Sequence, residues 1–220
     1  MKVREIVLTG QYICEEDGRK ISNTVYKEGG KVFSKVVGVL KITDEEINII
    51  PLKYVYIPKV GDRVIGIIKE VETSGWIVDI NSPYLAFLPL AEVASSYVDV
   101  FRTDLSKFYN VNDIIYTKVI KVSEDKVINI SMKDEESRKL KDGVIVSITP
   151  TKVARVIGRG GSMIETLKKG TKSEIIVGQN GYIFISGGKV EKAIEAILTI
   201  ERESHLYGLT DKIKELLKNE

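Results

Sequence analysis

The sequence predicts a multidomain chain in which a small β domain, a five-stranded β barrel and an α+β domain follow one another. Two observations support this prediction. From residue 2 to about residue 133, apolar residues occur mainly in short, alternating, β-branched runs between turn residues, which is the pattern of hairpin strands. After residue 143 the apolar period changes from 2 to 3.6 and back, which indicates strands and helices within one domain.

The first domain is expected over residues 1–58 as a small all-β unit. Apolar runs such as Ile6-Val7-Leu8 alternate there with turn signals such as Asp17-Gly18 and Gly29-Gly30. The run from Lys53 to Pro58 is expected to be the last strand, because proline suits an edge strand or the exit from a sheet.

Residues 59–133 contain five further strand patterns. Five strands in about 75 residues indicate a small closed barrel of the oligonucleotide-binding kind, the OB fold. The predicted strands cover residues 63–71, 75–80, 85–89, 114–122 and 127–132.

Five short phrases along this barrel occur in the order typical of the S1 RNA-binding family, which the segment 59–133 therefore resembles. The positions at which many S1 domains stack bases on aromatic or histidine side chains hold Ser74, Ile77 and Pro89 here. Because stacking on an aromatic ring is worth about 1–3 kcal/mol per base, this departure predicts weak RNA binding or a scaffold role for the barrel. The five phrases are Val60-Gly61-Asp62, Gly75 to Ile80, Leu88 to Glu92, Val111 to Ile115 and Ile128 to Lys133.

Residues 133–143 are rich in charge and carry one large apolar residue, Leu140, so we expect a solvated connector and a domain boundary there. The third domain is expected over residues 143–204 in the order βααββα. Its first helix runs from Pro150 through Ile157, and its second helix starts at Ser162 and ends before Gly170. Residues 205–220 are expected to form a helical tail that packs on this domain or on a partner.

The segment from Val156 to Gly161 reads Val-Ile-Gly-x-x-Gly, and together with the βααββα order it resembles the KH family of RNA-binding domains. A glycine-rich turn between two helices leaves backbone N–H groups that a phosphate can accept, and glycine permits close approach of the sugar-phosphate chain. Ser162 and Glu165 have the spacing of a capping box, so Ser162 is expected to cap the second helix.

Local charge supports the same loop, because residues 151–172 hold six Lys or Arg residues against one acid, Glu165. Val153, Ile157, Ile164 and Ile176 are expected beside the apolar groove of such a domain. Alternatively, the glycines form a simple turn and the lysines a solvated helix end. The predicted RNA-binding residues are Lys152, Arg155, Ile157, Gly158, Arg159, Gly160, Gly161, Ser162, Ile164, Lys168, Lys169 and Lys172.

Composition argues against catalysis and against a cofactor or metal. The single cysteine, Cys14, and the single histidine, His205, exclude Cys/His zinc clusters and Ser-His or Cys-His pairs. Acidic groups such as Asp44-Glu45-Glu46 and Glu135-Glu136 fall in predicted turns or connectors, whereas catalytic carboxylates need to converge in a cleft. The only tryptophan, Trp76, could stack on a base, but on an alternating strand it is expected instead to serve packing or a subunit contact.

The charge balance and the length of the apolar runs limit the partners and the location of the chain. With 33 Lys and Arg against 31 Asp and Glu, a preference for nucleic acid must come from local clusters of charge. No apolar run approaches the roughly 20 residues that cross a bilayer, and the N-terminal residues lack the apolar stretch of a signal peptide. We therefore expect a cytoplasmic protein.

The order of an N-terminal β domain, an S1 domain and one KH domain resembles the RNA-binding cap subunits of the archaeal exosome, the ribosomal RNA processing protein 4 family. The resemblance implies a non-catalytic subunit that is present in three copies on a hexameric ring of RNase PH-like subunits. It implies that the N-terminal domain docks on the ring and that single-stranded RNA is guided, 3′ end first, into the pore for 3′-5′ degradation and processing.

Two rival functions remain at this point. A transcription factor of the Nus class also places S1 before KH, but it normally carries two KH units and only one is visible here. A fragment of a phosphorolytic RNase is the enzyme alternative, but polynucleotide phosphorylase places KH before S1 and needs catalytic domains that this sequence lacks.

Overall fold

The structure is a computed structural model that describes residues 5–52, 55–93, 105–204 and 208–218. Contacts divide the chain into two compact units, residues 1–54 and residues 55–220. Among the described residues, no helix is both long enough and apolar enough to cross a membrane.

The N-terminal unit is all-β, as the sequence predicts. Its short strands form a four-stranded sheet in the order β1-β6-β7-β3 and a three-stranded sheet in the order β2-β5-β4. Alternation along the strands sends Val7, Leu40, Ile47 and Ile49 into a core shared with the second sheet. The strands are β1 (Ile6–Val7), β2 (Tyr12–Glu15), β3 (Lys20–Ile21), β4 (Val25–Glu28), β5 (Lys31–Ser34), β6 (Gly38–Ile42) and β7 (Glu46–Pro51).

The opposite face of the four-stranded sheet is also apolar, although it is not covered by other described parts of its unit. Ile6, Val39 and Ile50 lie side by side in one cross-strand row. Ile6 and Ile50 are 60% and 50% exposed. A second set of side chains, from Leu8, Val37 and Leu52, follows beside this row. We call these six residues the outer apolar face.

The predicted last strand of the first domain is wrong where the structure describes it. Residues 55–58 form no strand, and residues 53 and 54 lie outside the described residues. Tyr56 is instead buried in the core of the second unit. Its hydroxyl donates a hydrogen bond of 2.6 Å to the Asp62 carboxylate, and burial raises the pKa of Tyr56.

The second unit begins with a closed five-stranded barrel, which confirms the predicted OB fold. Its last strand pairs in parallel with the third strand and antiparallel with the fourth, so no open edge remains between them. The five strands are β8 (Arg63–Glu72), β9 (Gly75–Asp79), β10 (Ala86–Pro89), β11 (Ile114–Val122) and β12 (Ile128–Ser131).

Trp76 packs inside this barrel and is completely buried, which confirms the packing prediction. Its indole N–H donates a hydrogen bond of 3.0 Å to the carbonyl oxygen of Tyr109. The Tyr109 ring meets the indole edge-on, with the two ring centroids 5.4 Å apart. A buried indole needs such a partner, because an unpaired N–H would cost about 1–3 kcal/mol.

The expected solvated connector contains a strand, β13 (Arg138–Leu140), which pairs antiparallel with β11. The high charge of this segment does not keep it from pairing with the sheet. Its single large apolar residue, Leu140, is only 6% exposed and anchors the short edge strand. Asp134 fixes the start of the segment through ion pairs of 3.0 Å with Arg63 and 3.1 Å with Lys118. The hydrogen bond from Lys118 lowers the pKa of Asp134.

The α+β domain has the predicted order βααββα. Its three strands form an antiparallel sheet in the order β14-β16-β15, and the helices cover one face of it. A 3₁₀ turn, Pro150–Lys152, leads into the first helix. The elements are β14 (Gly143–Ser147), α1 (Val153–Ile157), α2 (Ser162–Thr171), β15 (Glu174–Val177), β16 (Tyr182–Ser186) and α3 (Val190–Glu203).

A further helix, α4 (Leu209–Lys218), packs on this domain, with Leu209 and Ile213 in its core. The prediction that α2 ends before Gly170 is wrong, because Gly170 lies inside the helix. A Cβ atom at Gly170 would lie 2.7 Å from the Leu217 Cδ1 atom, so this glycine lets α4 approach α2. His205 lies outside the described residues.

The barrel and the α+β domain are joined by the turn between β15 and β16. The Asn180 side chain is fully buried. Its amide nitrogen donates hydrogen bonds to the carbonyl oxygens of Ile65, at 2.7 Å, and Ile80, at 2.8 Å. Its amide oxygen accepts a hydrogen bond of 3.3 Å from the Ile65 N–H. Beside this contact, Phe184 of the α+β sheet packs against Ile65 and Leu140 of the barrel side.

We predict that Asn180→Leu lowers the free energy of unfolding of the second unit by about 3 kcal/mol or more, because three buried backbone groups would lose their partner. Gln179→Ala is the matched control. The Gln179 side chain accepts one hydrogen bond from the Arg63 N–H, so its loss should cost about 1 kcal/mol. Urea unfolding measures both values, and equal losses in the two variants would contradict the prediction.

Candidate nucleic-acid interface

The loop Gly158-Arg159-Gly160-Gly161 connects α1 to α2 and requires glycine for two different reasons. Gly158 has a φ of 76°, and a Cβ atom there would lie 2.7 Å from the Met163 backbone nitrogen. Gly160 has a φ of 59° but faces open space, with no atom within 4 Å of the Cβ position. Gly158 therefore allows close packing against Met163. Gly160 has no side chain that would cover the exposed backbone of the loop, so a ligand can approach it closely.

Two of the four amides in the loop remain available to a ligand. The amide of Gly158 donates to the Ala154 carbonyl at 3.0 Å, and the amide of Gly161 donates to the Gly158 carbonyl at 3.3 Å. No backbone bond found among the described residues uses the amides of Arg159 or Gly160, and both of these residues are exposed. Exposed, unpaired amides beside a helix start are suitable donors to a phosphate.

The predicted capping role of Ser162 is wrong. The left-handed backbone of Gly161, with a φ of 81°, places Gly161 at the cap position, so Ser162 is already the first helical residue. No side chain caps the helix. Glu165, the expected second member of the capping box, lies 3.6 Å from Lys169 instead.

The cations near the loop differ from those of the barrel in having few acidic partners. Arg155, Arg159, Lys168 and Lys172 are exposed, Lys152 is half-buried, and none of these five takes part in an ion pair with another described residue. In the barrel and the following segment, five cations are paired with acids, namely Arg63, Lys69, Lys118, Arg138 and Lys139, whereas others such as Lys121 and Lys141 have no acidic partner among the described residues. Because residues 151–172 hold six cations and one acid, positive potential is concentrated around the loop although the whole chain is nearly neutral.

The predicted apolar groove is smaller than expected. Ile157 and Ile164 are half-buried beside the loop, and a Cβ atom at Gly161 would lie 4.0 Å from the Ile164 Cγ2 atom. Val153 is only 6% exposed and belongs to the core. Ile176 packs on the cluster that faces the barrel. Only Ile157 and Ile164 combine contact with the core and access from the loop.

The barrel carries one outward aromatic side chain that the sequence interpretation missed. Phe87 is half-buried on β10, between its fully buried neighbours Ala86 and Leu88. It lies opposite Ile77 on one side and Asn129 on the other, and Asn129 lies opposite the exposed Lys121. Strict alternation in Ala86-Phe87-Leu88 is the signal that could have identified it.

No group of three or more His, Cys, Asp or Glu residues within the described ranges is placed to hold a metal ion. Asp44 and Glu45 lie in a bend, Glu46 is the first residue of β7, and Glu135 and Glu136 lie in a turn; all five are exposed. Within the described parts of the chain, the loop between α1 and α2 and the cations around it are therefore the candidate functional site.

Three family models match successive parts of this chain. Residues 4–53 match the exosome RNA binding protein RRP4 N-terminal domain. Residues 55–121 match the RRP4 S1 domain, and residues 143–191 match a KH domain. The fold and the loop therefore define a chain of the S1 and KH class.

Several relatives are similar over almost their whole length. The exosome complex component Rrp4 of Pyrococcus horikoshii is 48% identical over 219 residues, which cover 97% of this chain and 82% of the relative. The exosome complex component Rrp4 of Methanothermus fervidus is 41% identical, with 99% and 96% covered. A crystal structure of a protein assigned to the exosome complex as RNA-binding has a TM-score of 0.70 and 34% identity, and the match covers 75% of this chain and 96% of that one.

The chain belongs to the Rrp4 family of exosome components. This assignment confirms the resemblance drawn from the sequence.

We predict that Gly158→Ala destabilises the α+β domain by about 2 kcal/mol or more, because the new methyl group would collide with backbone and the φ is unfavourable. Gly160→Ala should cost only about 1 kcal/mol, since it changes the backbone preference alone. Thermal unfolding of both variants measures the difference. Equal stability of the two variants would contradict the close approach of Gly158 to the Met163 backbone.

Proposed function

We infer that this protein is a non-catalytic RNA-binding subunit of an exosome, which caps a hexameric ring of RNase PH-like subunits in three copies. It captures single-stranded RNA and guides the 3′ end into the pore for 3′-5′ degradation and processing, while the ring cleaves. Family membership and the loop with its unpaired cations support this proposal. The relatives are named as exosome components, which favours this function over a Nus-type factor.

The observation that carries the RNA-binding part of the proposal is the exposed pair of amides at Arg159 and Gly160, surrounded by cations without acidic partners. A phosphate placed on these amides would meet the guanidinium of Arg159 without displacing an existing ion pair. KH domains hold about four nucleotides between such a loop and an adjacent apolar groove. Ile157 and Ile164 supply that apolar surface here.

The barrel would add a second, weaker contact. Phe87 offers one aromatic face for a base, and Lys121 lies two strands away for a phosphate. One stacked base is worth about 1–3 kcal/mol, which is too little for tight binding by the barrel alone. Three copies around one pore would raise the local concentration of binding sites, so that weak contacts add up by avidity.

The outer apolar face of the N-terminal unit supports the docking part of the proposal. Exposed apolar patches of about 300–600 Å² on a monomer are often functional, and this face presents six aliphatic side chains together. Docking through this unit would use residues other than those of the loop between α1 and α2.

Intrinsic catalysis is not part of the proposal. The three matched domains are an N-terminal domain, an S1 domain and a KH domain, and no enzymatic domain is indicated. Phosphate-dependent shortening of RNA by the isolated chain would favour the enzyme alternative instead.

We predict that the double variant Arg159→Asp with Gly160→Asp binds single-stranded RNA about 10- to 1,000-fold more weakly, because two phosphate contacts are replaced by repulsion. Fluorescence anisotropy with a ten-nucleotide RNA at fixed salt measures the affinity. The matched control is Gly30→Asp with Lys31→Asp, which makes the same change of charge at another glycine of positive φ in open space. Unchanged affinity in a folded loop variant would remove the loop from RNA binding.

We predict that Ile6→Asp with Ile50→Asp prevents co-purification with RNase PH-like ring subunits, since two charges would be buried without partners in the interface. RNA binding by the isolated variant should stay within about twofold of the wild type. Val127→Asp, at a 56% exposed apolar position of the barrel, is the control and should still assemble. Assembly of the double variant at wild-type yield would assign docking to another surface.

A further inference from the structure

We propose that the RNA strand continues from the loop along the outer side of α2 to the start of α3, on a basic strip formed by Lys168, Lys172 and Lys189. This inference rests on the proposed RNA-binding function and extends it beyond the four nucleotides of a KH site. It adds Lys189, which is not among the predicted RNA-binding residues.

Helical geometry places Lys168 on the side of α2 that faces the loop. Lys168 lies seven residues, or about two turns, after Gly161, and therefore projects from the same side of the helix. Lys172 directly follows Thr171, the last residue of α2, so it continues the strip at this end of the helix. The helix has ten residues, so the strip extends about 15 Å from the loop. A strand held at the loop can thus follow the helix without turning around it.

The end of α2 is joined directly to Lys189. The Lys189 amide donates a hydrogen bond of 2.8 Å to the Thr171 carbonyl oxygen. Gly188 approaches so closely that a Cβ atom there would lie 2.4 Å from the Lys172 carbonyl oxygen. These contacts fix the backbone of Lys189 against that of Lys172, so the strip continues from one helix to the next.

The charges of the strip are available for a polyanion. Lys168, Lys172 and Lys189 are exposed, and none of the three has an ion-pair partner among the described residues. Two acids lie beside the path. The Glu165 carboxylate is 3.6 Å from the Lys169 ammonium, and Glu191 is exposed in the first turn of α3. Glu174, the acid that follows this end of α2, lies 2.7 Å from Arg138.

The test compares a four-nucleotide RNA with a ten-nucleotide RNA on the full chain. The variant is the triple change Lys168→Gln, Lys172→Gln and Lys189→Gln, and the matched control is Lys20→Gln, Lys41→Gln and Lys141→Gln, all exposed positions outside the strip. Anisotropy titrations at several salt concentrations give the affinity for the long RNA and its salt dependence. NMR titration gives the affinity for the short RNA.

We expect the triple variant to bind the ten-nucleotide RNA about tenfold or more weakly, with a slope of log affinity against log salt reduced by about 2, because three phosphate contacts are lost. Its affinity for the four-nucleotide RNA should change by less than about twofold, since those phosphates lie on the loop. The control triple should match the wild type for both RNAs.

Two results would overturn the strip. If the long RNA binds the variant as it binds the wild type, the three lysines do not contact RNA. If both RNAs lose affinity equally, the lysines belong to the four-nucleotide site and the strand does not extend along α2. Failure of the proposed function gives a different result, because the wild-type chain itself would then bind neither RNA.

Discussion

The buried amide of Asn180 is the interaction on which the arrangement of the second unit depends. One side chain satisfies backbone groups at Ile65 and Ile80 of the barrel, while its own backbone belongs to the turn between the last two strands of the KH sheet. A buried amide of this kind is tolerated only when all its polar atoms find partners. These hydrogen bonds fix the position of the barrel relative to the KH sheet. A satisfied polar network permits one relative placement of two surfaces, whereas apolar packing alone permits several.

Charge is used differently on the two sides of that junction. On the barrel side, Arg63, Lys118 and Asp134 form a network that fixes the start of the segment leading to β13. On the helical side, Arg155, Arg159, Lys168 and Lys172 are exposed and have no ion-pair partner among the described residues. Since the side chains are chemically alike, their surroundings decide whether a cation organises the chain or remains available for a phosphate.

The sequence predicts most of the fold, because the spacing of apolar residues within a short segment is enough to identify a strand or an amphipathic helix. The five barrel strands and the βααββα order follow from such periodicity. Features that depend on contact between distant residues were not predictable. The edge strand at Leu140 needs its partner β11, the continuation of α2 through Gly170 needs Leu217, and Tyr56 needs the barrel core.

For the candidate site, the local motif identified the loop, but dihedral angles decided its details. A positive φ at Gly161 moves the start of α2 by one residue, and this removes the cap that the spacing of Ser162 and Glu165 suggested. Alternation could have shown that Phe87 points outward, whereas the burial of Ile176 against the barrel requires knowledge of the domain contact. Motif spacing therefore predicts the position of the glycine-rich loop more safely than the surroundings of the residues beside it.

The outer apolar face also limits the concentration at which the chain stays dissolved in a cell. If this face docks on a partner as proposed, a copy without that partner keeps the six aliphatic side chains in water, where two copies can cover them by associating with each other. Such association grows with concentration, so surplus copies would tend to aggregate or be removed by quality control. Balanced synthesis with the partner would then matter as much for solubility as for the stoichiometry of the finished particle.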